Sequence, residues 1–206
     1  MRPLSKKPLQ QDNSTYLDKI AIRRAMLREV EQPVVLETHG GYGKLYQACY
    51  RDVAEGVVFD KDARKAEALA LQRPTWAVYE ADCVQALHQG AGAHLEVNVL
   101  DLDPYGEPWP AIDAFFESER PRAERLWVVV NDGLRQICKE GRSWATGSLQ
   151  GIVERYGNGL YAHYLEVCRE LLTEKAAQVG YTLDRFVGRY CGHARQMTHY
   201  LAAFHR

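Results

Sequence analysis

Residues Val34 to Gly43 read Val-Val-Leu-Glu-Thr-His-Gly-Gly-Tyr-Gly, an apolar run that ends in the carboxylate of Glu37 and continues into Gly41-x-Gly43. Glycine at a sharp bend permits positive φ and leaves no Cβ between the backbone and a ligand, so the pattern predicts a strand running into a nucleotide-binding turn. A helical segment follows, whose free amides would face whatever the turn holds. His39 lies inside the turn, placed to touch either a ligand or solvent. Two further acids close later apolar runs: Asp60 in Val57-Val58-Phe59-Asp60 and Asp82 in Tyr79-Glu80-Ala81-Asp82. Taken alone, each is more commonly a helix cap, since both precede helical segments. Three acids ending three successive strands shift the balance toward one shared ligand, because a carboxylate accepts hydrogen bonds from two adjacent hydroxyls. A fourth run ends in Asp101-Leu102-Asp103-Pro104-Tyr105-Gly106, which combines acceptor oxygens, a rigid proline and a flat aromatic face.

The elements that must position these residues alternate along the chain. Leu17, Ile20, Ala21, Leu27 and Val30 recur at roughly helical spacing and Pro33 ends the pattern, which makes a lead-in helix. Strands are expected at 34–38, 56–60, 75–80, 95–102 and 126–131, with helices at 44–54, 62–71, 82–88 and 109–119. This alternation predicts βαβ units in a parallel sheet with helices on both faces. Leu126 to Asn131 (Leu-Trp-Val-Val-Val-Asn) is apolar without alternation, as suits a central strand covered on both sides. A glycine-rich stretch, 139–159, reads either as an ordinary connection or as a substrate-facing loop. A long amphipathic helix over 160–179 stops at Gly180, and strands at 182–190 and 198–205 are joined so closely that they must pair antiparallel.

The 206 residues, 46% hydrophobic and 26% charged, suffice for one well-buried core. The expected organisation is an N-terminal arm with its lead-in helix, 1–32, and a single domain, 33–206. A net charge of −1 gives no overall attraction to phosphate. Arg2, Lys6, Lys7, Lys19, Arg23, Arg24 and Arg28 do cluster early, and a solvated helix face is the simplest account of them. Five cysteines without Cys-x-x-Cys spacing argue against a disulfide framework or structural zinc. Cys191, His193 and His199 lack an evident fourth ligand, so no metal site is expected. With no apolar run near the roughly 20 residues that span a bilayer, the reading is a cytoplasmic protein without membrane association.

Seven strands, the last two forming a hairpin, together with Glu37-x-x-x-Gly41-x-Gly43, resemble the class I S-adenosylmethionine-dependent methyltransferases. The resemblance covers nearly the whole chain after about Glu31. It implies an α/β fold, a Rossmann-like three-layer sandwich around a seven-stranded, mostly parallel sheet with a C-terminal antiparallel hairpin. It also implies S-adenosyl-L-methionine as cofactor, with Gly41 and Gly43 beneath its methionine part, Asp60 on the ribose hydroxyls and Asp82 on the adenine amino group. Glu37, His39 and Asp101 are counted with these on the cofactor side.

The motif Asp103-Pro104-Tyr105-Gly106 is similar to that of methyltransferases acting on exocyclic amines of nucleobases, closest to the tRNA guanine N2-dimethyltransferase family. The lone pair of such an amine is delocalised into the ring, so acceptors must hold its protons and align it. The resemblance gives that role to Asp103, a rigid turn to Pro104 and a stacking face to Tyr105. The implied partner is nucleic acid, RNA in preference to DNA, or a nucleotide-like small molecule, with a partner protein as a further means of presenting the substrate. Two departures bear on the tRNA assignment: Glu107-Pro108 stands where that family continues Ser-Pro, and no residues remain for its additional C-terminal domain. Asn131-Asp132-Gly133 reads either as a plain turn or as a second wall facing the target. A nicotinamide-dependent oxidoreductase is the first rival, but its third glycine is missing, with Tyr46 in that place. A catalytically silent fold that binds RNA or a partner is the second. Lys44 is not a phosphate-loop lysine, because Thr38 and Leu45 break that motif.

Overall fold

The computed structural model describes residues 15–135, 154 and 156–206. Its strands are β1 Val34–Glu37, β2 Glu55–Asp60, β3 Ala77–Glu80, β4 Val99–Leu102, β5 Arg125–Asp132, β6 Thr182–Cys191 and β7 Met197–His205. They form one sheet in the order β3-β2-β1-β4-β5-β7-β6. β1 to β5 pair in parallel, while β7 lies antiparallel to both β5 and β6. The chain steps outward from β1 to β3 and then returns to the other side of β1 with β4. That reversal leaves a crevice at the carboxyl ends of β1 and β4, where open α/β sheets bind ligands.

Alternating residues of each strand feed two separate cores. Leu36, Val57, Leu100, Val128 and Tyr200 pack against α3 (Cys83–His88), α4 (Trp109–Glu117) and α5 (Tyr164–Gln178). Val35, Val58, Val99, Val129 and Leu201 pack on the opposite face, under α1 (Tyr16–Leu27), a π-helical turn (Tyr46–Tyr50) and α2 (Ala63–Gln72). Burial on both faces explains the unbroken apolar runs, each fully buried Val or Leu contributing roughly 1.5–3 kcal/mol. The three-layer α/β arrangement and the terminal hairpin are as expected.

Several boundaries differ from the sequence expectation for local reasons. β4 begins at Val99 rather than near Leu95, because Gly90 and Gly92 curl the chain at positive φ and Asn98 uses its side chain as a clasp. That side chain accepts the Val34 N–H at 2.8 Å and donates to the Gln32 carbonyl at 2.8 Å. The helix expected over 44–54 widens to a π-helical turn that brings Tyr46 and Tyr50 together around Trp76, with ring centroids 5.4 and 6.3 Å away. α4 stops at Glu117, where Ser118 turns extended and the Arg122 guanidinium caps the Phe115, Phe116 and Ser118 carbonyls. Most of the glycine-rich stretch 139–159 lies outside the described residues. Among the described residues, no helix is long and apolar enough to cross a membrane.

Candidate functional site

The glycine turn is stitched to the strands on either side of it. Thr38 N–H donates to the Asp101 carbonyl of β4 at 3.0 Å, and Gly40 N–H to the Phe59 carbonyl of β2 at 3.0 Å. A Cβ on Gly40 would lie 2.5 Å from Val58 Cγ2 and 2.6 Å from Leu69 Cδ1, so glycine is required there by close approach. Gly41 and Gly43 adopt φ of +55° and +74°, the left-handed region. A Cβ on Gly41 would meet nothing within 4 Å, so the outer side of the turn is open.

Asp60 anchors this turn from β2. Its Oδ2 accepts the Gly41 N–H at 2.9 Å, Oδ1 accepts the Asp62 N–H at 3.0 Å, and Lys65 Nζ stands 3.9 Å from Oδ1. Each carboxylate oxygen can accept more than one hydrogen bond, so capacity for hydroxyl donors remains. Asp82 is exposed and caps α3, its Oδ1 accepting from Val84 and Gln85 N–H at 3.0 and 3.2 Å. The capping use of Asp82 thus occupies one oxygen and leaves Oδ2 without a described partner. His39 lies between these groups, with Nδ1 2.8 Å from Thr38 Oγ1 and Nε2 4.0 Å from Cys83 Sγ. Burial pushes its pKa down, against the opposing fields of Asp103, Asp60 and Asp82. The imidazole is therefore neutral at pH 7, surrounded by carboxylates that favour a cationic or hydroxyl-rich ligand.

The second half of the site is the turn after β4. Asp103 Oδ1 accepts from Lys19 Nζ at 2.5 Å and from Asn131 Nδ2 at 2.6 Å. Pro104 is buried, whereas Tyr105 is 87% exposed, a flat ring open to a planar partner. Gly106, at φ +109°, accepts the Gly133 N–H at 2.8 Å, and a Cβ on Gly133 would sit 3.2 Å from Gly106 Cα. The Asp-Pro-Tyr-Gly turn is thereby docked against Asn131-Asp132-Gly133, and Asn131 joins the site as a holder of Asp103.

Glu37 and Asp101 behave differently from the sequence expectation that placed them at the cofactor. They are register partners on β1 and β4, and both turn toward the α1 face with 1% and 0% exposure. Glu37 Oε2 accepts from Arg73 Nη1 at 2.6 Å, and burial raises its carboxyl pKa against the pull of that arginine. Asp101 accepts from Arg23 Nε at 2.6 Å, from Arg23 Nη2, and from the Tyr50 hydroxyl at 2.5 Å. Both Asp101 oxygens are committed, while Glu37 Oε1 is buried without a hydrogen-bond partner among the described residues. What Asp101 and its neighbourhood do offer is the backbone carbonyl that holds Thr38. Sequence reasoning also missed Arg23 and Lys19, which belong to the early basic cluster and turn inward instead of facing solvent. A usable signal existed: they are four residues apart on one helix face, opposite Asp101 and Asp103, two apart on a strand.

Asp132 faces the other core, where Leu134 N–H (2.8 Å), Tyr164 Oη (2.8 Å) and Tyr200 Oη (3.4 Å) donate to it. Burial raises its pKa to about 7. Beyond β6, Ala194 and Arg195 both take positive φ, and buried Arg135 braces them by donating to the Arg195 carbonyl while lying between the Tyr161 and Tyr190 rings. Among the described residues no group of three or more His, Cys, Asp or Glu is arranged to hold a metal ion. Cys191 Sγ points at the Met197 carbonyl 3.8 Å away, and His199 is fully buried beside Asn131.

No family model matches the sequence, and no curated protein does. Solved structures do match. Trm1 from Pyrococcus horikoshii, in complex with S-adenosyl-L-methionine, superposes with a TM-score of 0.71 at 13% identity, covering 100% of this chain and 58% of that protein. TYW2 from M. jannaschii in complex with AdoMet gives 0.54 at 16% identity, over 98% of this chain and 79% of that one. The plantazolicin methyltransferase BpumL, with a triazolic desmethylPZN analog and SAH, gives 0.57 at 9% identity, over 96% and 87%. The chain has a Rossmann-like methyltransferase fold. It spans 58% of the length of the Pyrococcus Trm1 structure.

Proposed function

We propose that the protein is an S-adenosyl-L-methionine-dependent methyltransferase whose acceptor is a planar, exocyclic amine, with a nucleobase in RNA as the favoured substrate. The observation that carries this reading is convergence. The open glycine turn, Asp60 and Asp82 surround His39 at the carboxyl ends of β1 to β3, and Asp103 closes the same crevice from β4. The residues fit the cofactor chemically: a neutral imidazole and several carboxylates suit a ligand that carries a sulfonium charge and ribose hydroxyls. Similarity to folds holding S-adenosyl-L-methionine or SAH supports the same assignment. RNA is preferred for the motif at Asp103 and for the exposed ring of Tyr105, on which a base can stack.

The bound cofactor supplies an electrophilic methyl group. Gly41 and Gly43 would let the backbone approach its amino-acid part, Asp60 would hold the ribose hydroxyls, and Asp82 would meet the adenine amine through the oxygen that does not cap α3. On the acceptor side, Asp103 Oδ2 takes an N–H of the target amine. Holding that proton would align the nitrogen lone pair for in-line attack on the methyl carbon. The S–C bond would break as the N–C bond forms, and the proton lost from the methylated nitrogen would pass to Asp103 Oδ2 and on to solvent. Tyr105 stacks on the ring, and the rigid Pro104 keeps acid and ring in one geometry, so rate comes from orientation rather than from a covalent enzyme intermediate. A base paired in a duplex must first be extruded. α1 packs on residues 33–206 and is assigned to the same functional unit.

Calorimetric titration and transfer of a labelled methyl group into pooled RNA, DNA and protein test the proposal. Asp60→Ala is expected to weaken S-adenosyl-L-methionine binding, whereas Asp103→Ala leaves binding nearly unchanged and abolishes transfer into RNA. Binding of a nicotinamide cofactor in place of S-adenosyl-L-methionine, or label in protein alone, would overturn the cofactor and nucleobase assignments respectively.

A further inference from the structure

Lys19 and Arg23 lie four residues apart on α1, a rise of about 6 Å. Asp101 and Asp103 lie two residues apart along the β4 direction, about 6.6 Å. The two spacings match, so one helix face lays two cations on two carboxylates. The inner pair, Arg23–Asp101, is fully buried and anchors the helix. The outer pair, Lys19–Asp103, has side-chain exposures of 21% and 16% and reaches the acid that faces the acceptor. Two more ion pairs tie this region to the edge strand β6, Asp18–Arg189 from the same helix and Glu29–Arg185 from the turn after it.

The contact between Lys19 and Asp103 is one-sided. Lys19 Nζ and Asn131 Nδ2 both donate to Oδ1, and Oδ2 has no partner among the described residues. Two donors on one oxygen fix the rotation of the carboxylate and leave one lone-pair-bearing oxygen to meet a ligand. An exposed lysine–aspartate pair is worth little, but this one is mostly screened from water and shares its oxygen with a fully buried asparagine. Next to Asn131 in register stands His199, whose ring nitrogens have no hydrogen-bond partner among the described residues. Burial, with Arg23 and Lys19 nearby, pushes its pKa down to about 3, so His199 does not add a cation beside Asp103.

We infer that Lys19 is a positioning residue of the transfer site, which with Asn131 holds Asp103 as a one-sided acceptor and so selects a ring bearing N–H over the same ring bearing a carbonyl oxygen. The inference rests on the methyl-transfer reading. An amine meets an acceptor there, whereas a carbonyl oxygen meets a carboxylate with no proton to give, and buried polar groups left unpaired are the strongest basis for discrimination. Asp103 does not need Lys19 in order to fold, but it needs it to keep one orientation.

The test uses the full chain, labelled S-adenosyl-L-methionine and pooled RNA as acceptor, with K19M, K19R and K19Q. K19M is expected to keep cofactor affinity within about twofold by calorimetry, and to lose at least roughly tenfold in kcat with little change in apparent KM, the signature of an interaction that matters in the transition state. K19R, which restores a cation, recovers most of the rate, and K19Q behaves as K19M does, which covers the case in which K19M has a lowered thermal midpoint. K19M or K19Q active at the wild-type rate overturns the role of Lys19. So does a loss that follows cofactor affinity or thermal midpoint, or K19R no better than K19M. A wild-type protein that binds S-adenosyl-L-methionine and methylates nothing overturns the methyl-transfer reading itself, and this role with it.

Discussion

Asp132→Asn separates buried electrostatics from the rest of the fold. In the folded protein the Asp132 carboxyl is fully buried and burial raises its pKa from 3.8 to about 7, even though Leu134 N–H, Tyr164 and Tyr200 donate to it. Between these values the folded state binds a proton that the unfolded chain has released. Stability must therefore fall as pH rises through that window and level off above the folded pKa. A shift of about three units, at 1.36 kcal/mol each, makes the total change roughly 4 kcal/mol. Other groups tilt the curve too. Glu37, also raised, works in the same direction, while His199, lowered to about 3, makes stability rise between about pH 3 and its unfolded value of 6.5. Both face the opposite side of the sheet and are common to the two proteins, so they cancel in the difference. Urea titrations at pH 4, 5, 6, 7 and 8 should thus show Asp132→Asn gaining on the wild type by roughly 4 kcal/mol in total, with m unchanged. The amide can still accept from Leu134, and the tyrosine hydroxyls can rotate to accept from its NH2. A difference that stays flat to within about 1 kcal/mol would show that these donors, with the Cys168 thiol 3.9 Å from Oδ2, keep Asp132 ionised in the folded state, and that burial does not dominate there.

Three further outcomes are expected. Arg23→Met leaves Asp101 buried with only the Tyr50 hydroxyl, and should cost about 3–5 kcal/mol in denaturant titrations; a cost below about 1 kcal/mol would mean that water reaches Asp101. Gly40→Ala drives a methyl into Val58 and Leu69, both 0% exposed, for about 1–3 kcal/mol of overpacking and a parallel loss of cofactor affinity as the Gly41–Asp60 contact shifts; unchanged thermal midpoint and affinity would refute the tight fit. Tyr105→Ala should leave stability within about 0.5 kcal/mol, since the ring is 87% exposed. It should also weaken RNA binding by about 1–3 kcal/mol if the ring stacks on a base, and equal RNA affinity in a filter-binding assay would remove Tyr105 from the acceptor site.

The alternation of apolar runs with helical segments made the sheet, its helical layers and its terminal hairpin legible, because β-strands buried on both faces leave uninterrupted runs such as Leu126 to Val130. The glycine turn was legible for a similar reason: close approach to Val58 and Leu69 and the positive φ at Gly43 admit little but glycine. What stayed hidden depended on contacts between distant segments. The i, i+4 spacing of Lys19 and Arg23 matches that of Asp101 and Asp103 but does not say that the two segments meet 78 positions apart, and nothing local to Arg73 tells that it answers Glu37. The clasp of Asn98 on Val34, which delays β4, is equally nonlocal.

The acids at strand ends illustrate what side-chain type alone leaves undecided. Glu37, Asp101 and Asp103 fall on the same side of the sheet, because successive side chains of a strand alternate in direction. What separates them is depth along the strand. Asp101 is still level with the π-helical turn and α1, where Tyr50 and Arg23 cover it completely; Glu37, its register partner, is covered by Arg73 with Tyr46 and Trp76 against the guanidinium. Asp103, two residues on, has passed the last ladder pair of β4 and reaches the rim, where Lys19 and Asn131 are its side-chain partners among the described residues. A carboxylate below the rim must be neutralised by the fold and becomes a brace, whereas one at the rim keeps an oxygen for a ligand. By that criterion Asp60 and Asp103 are the acids of the crevice that combine an anchored geometry with remaining acceptor capacity, and the helix that braces the lower acid is also the one that orients the upper.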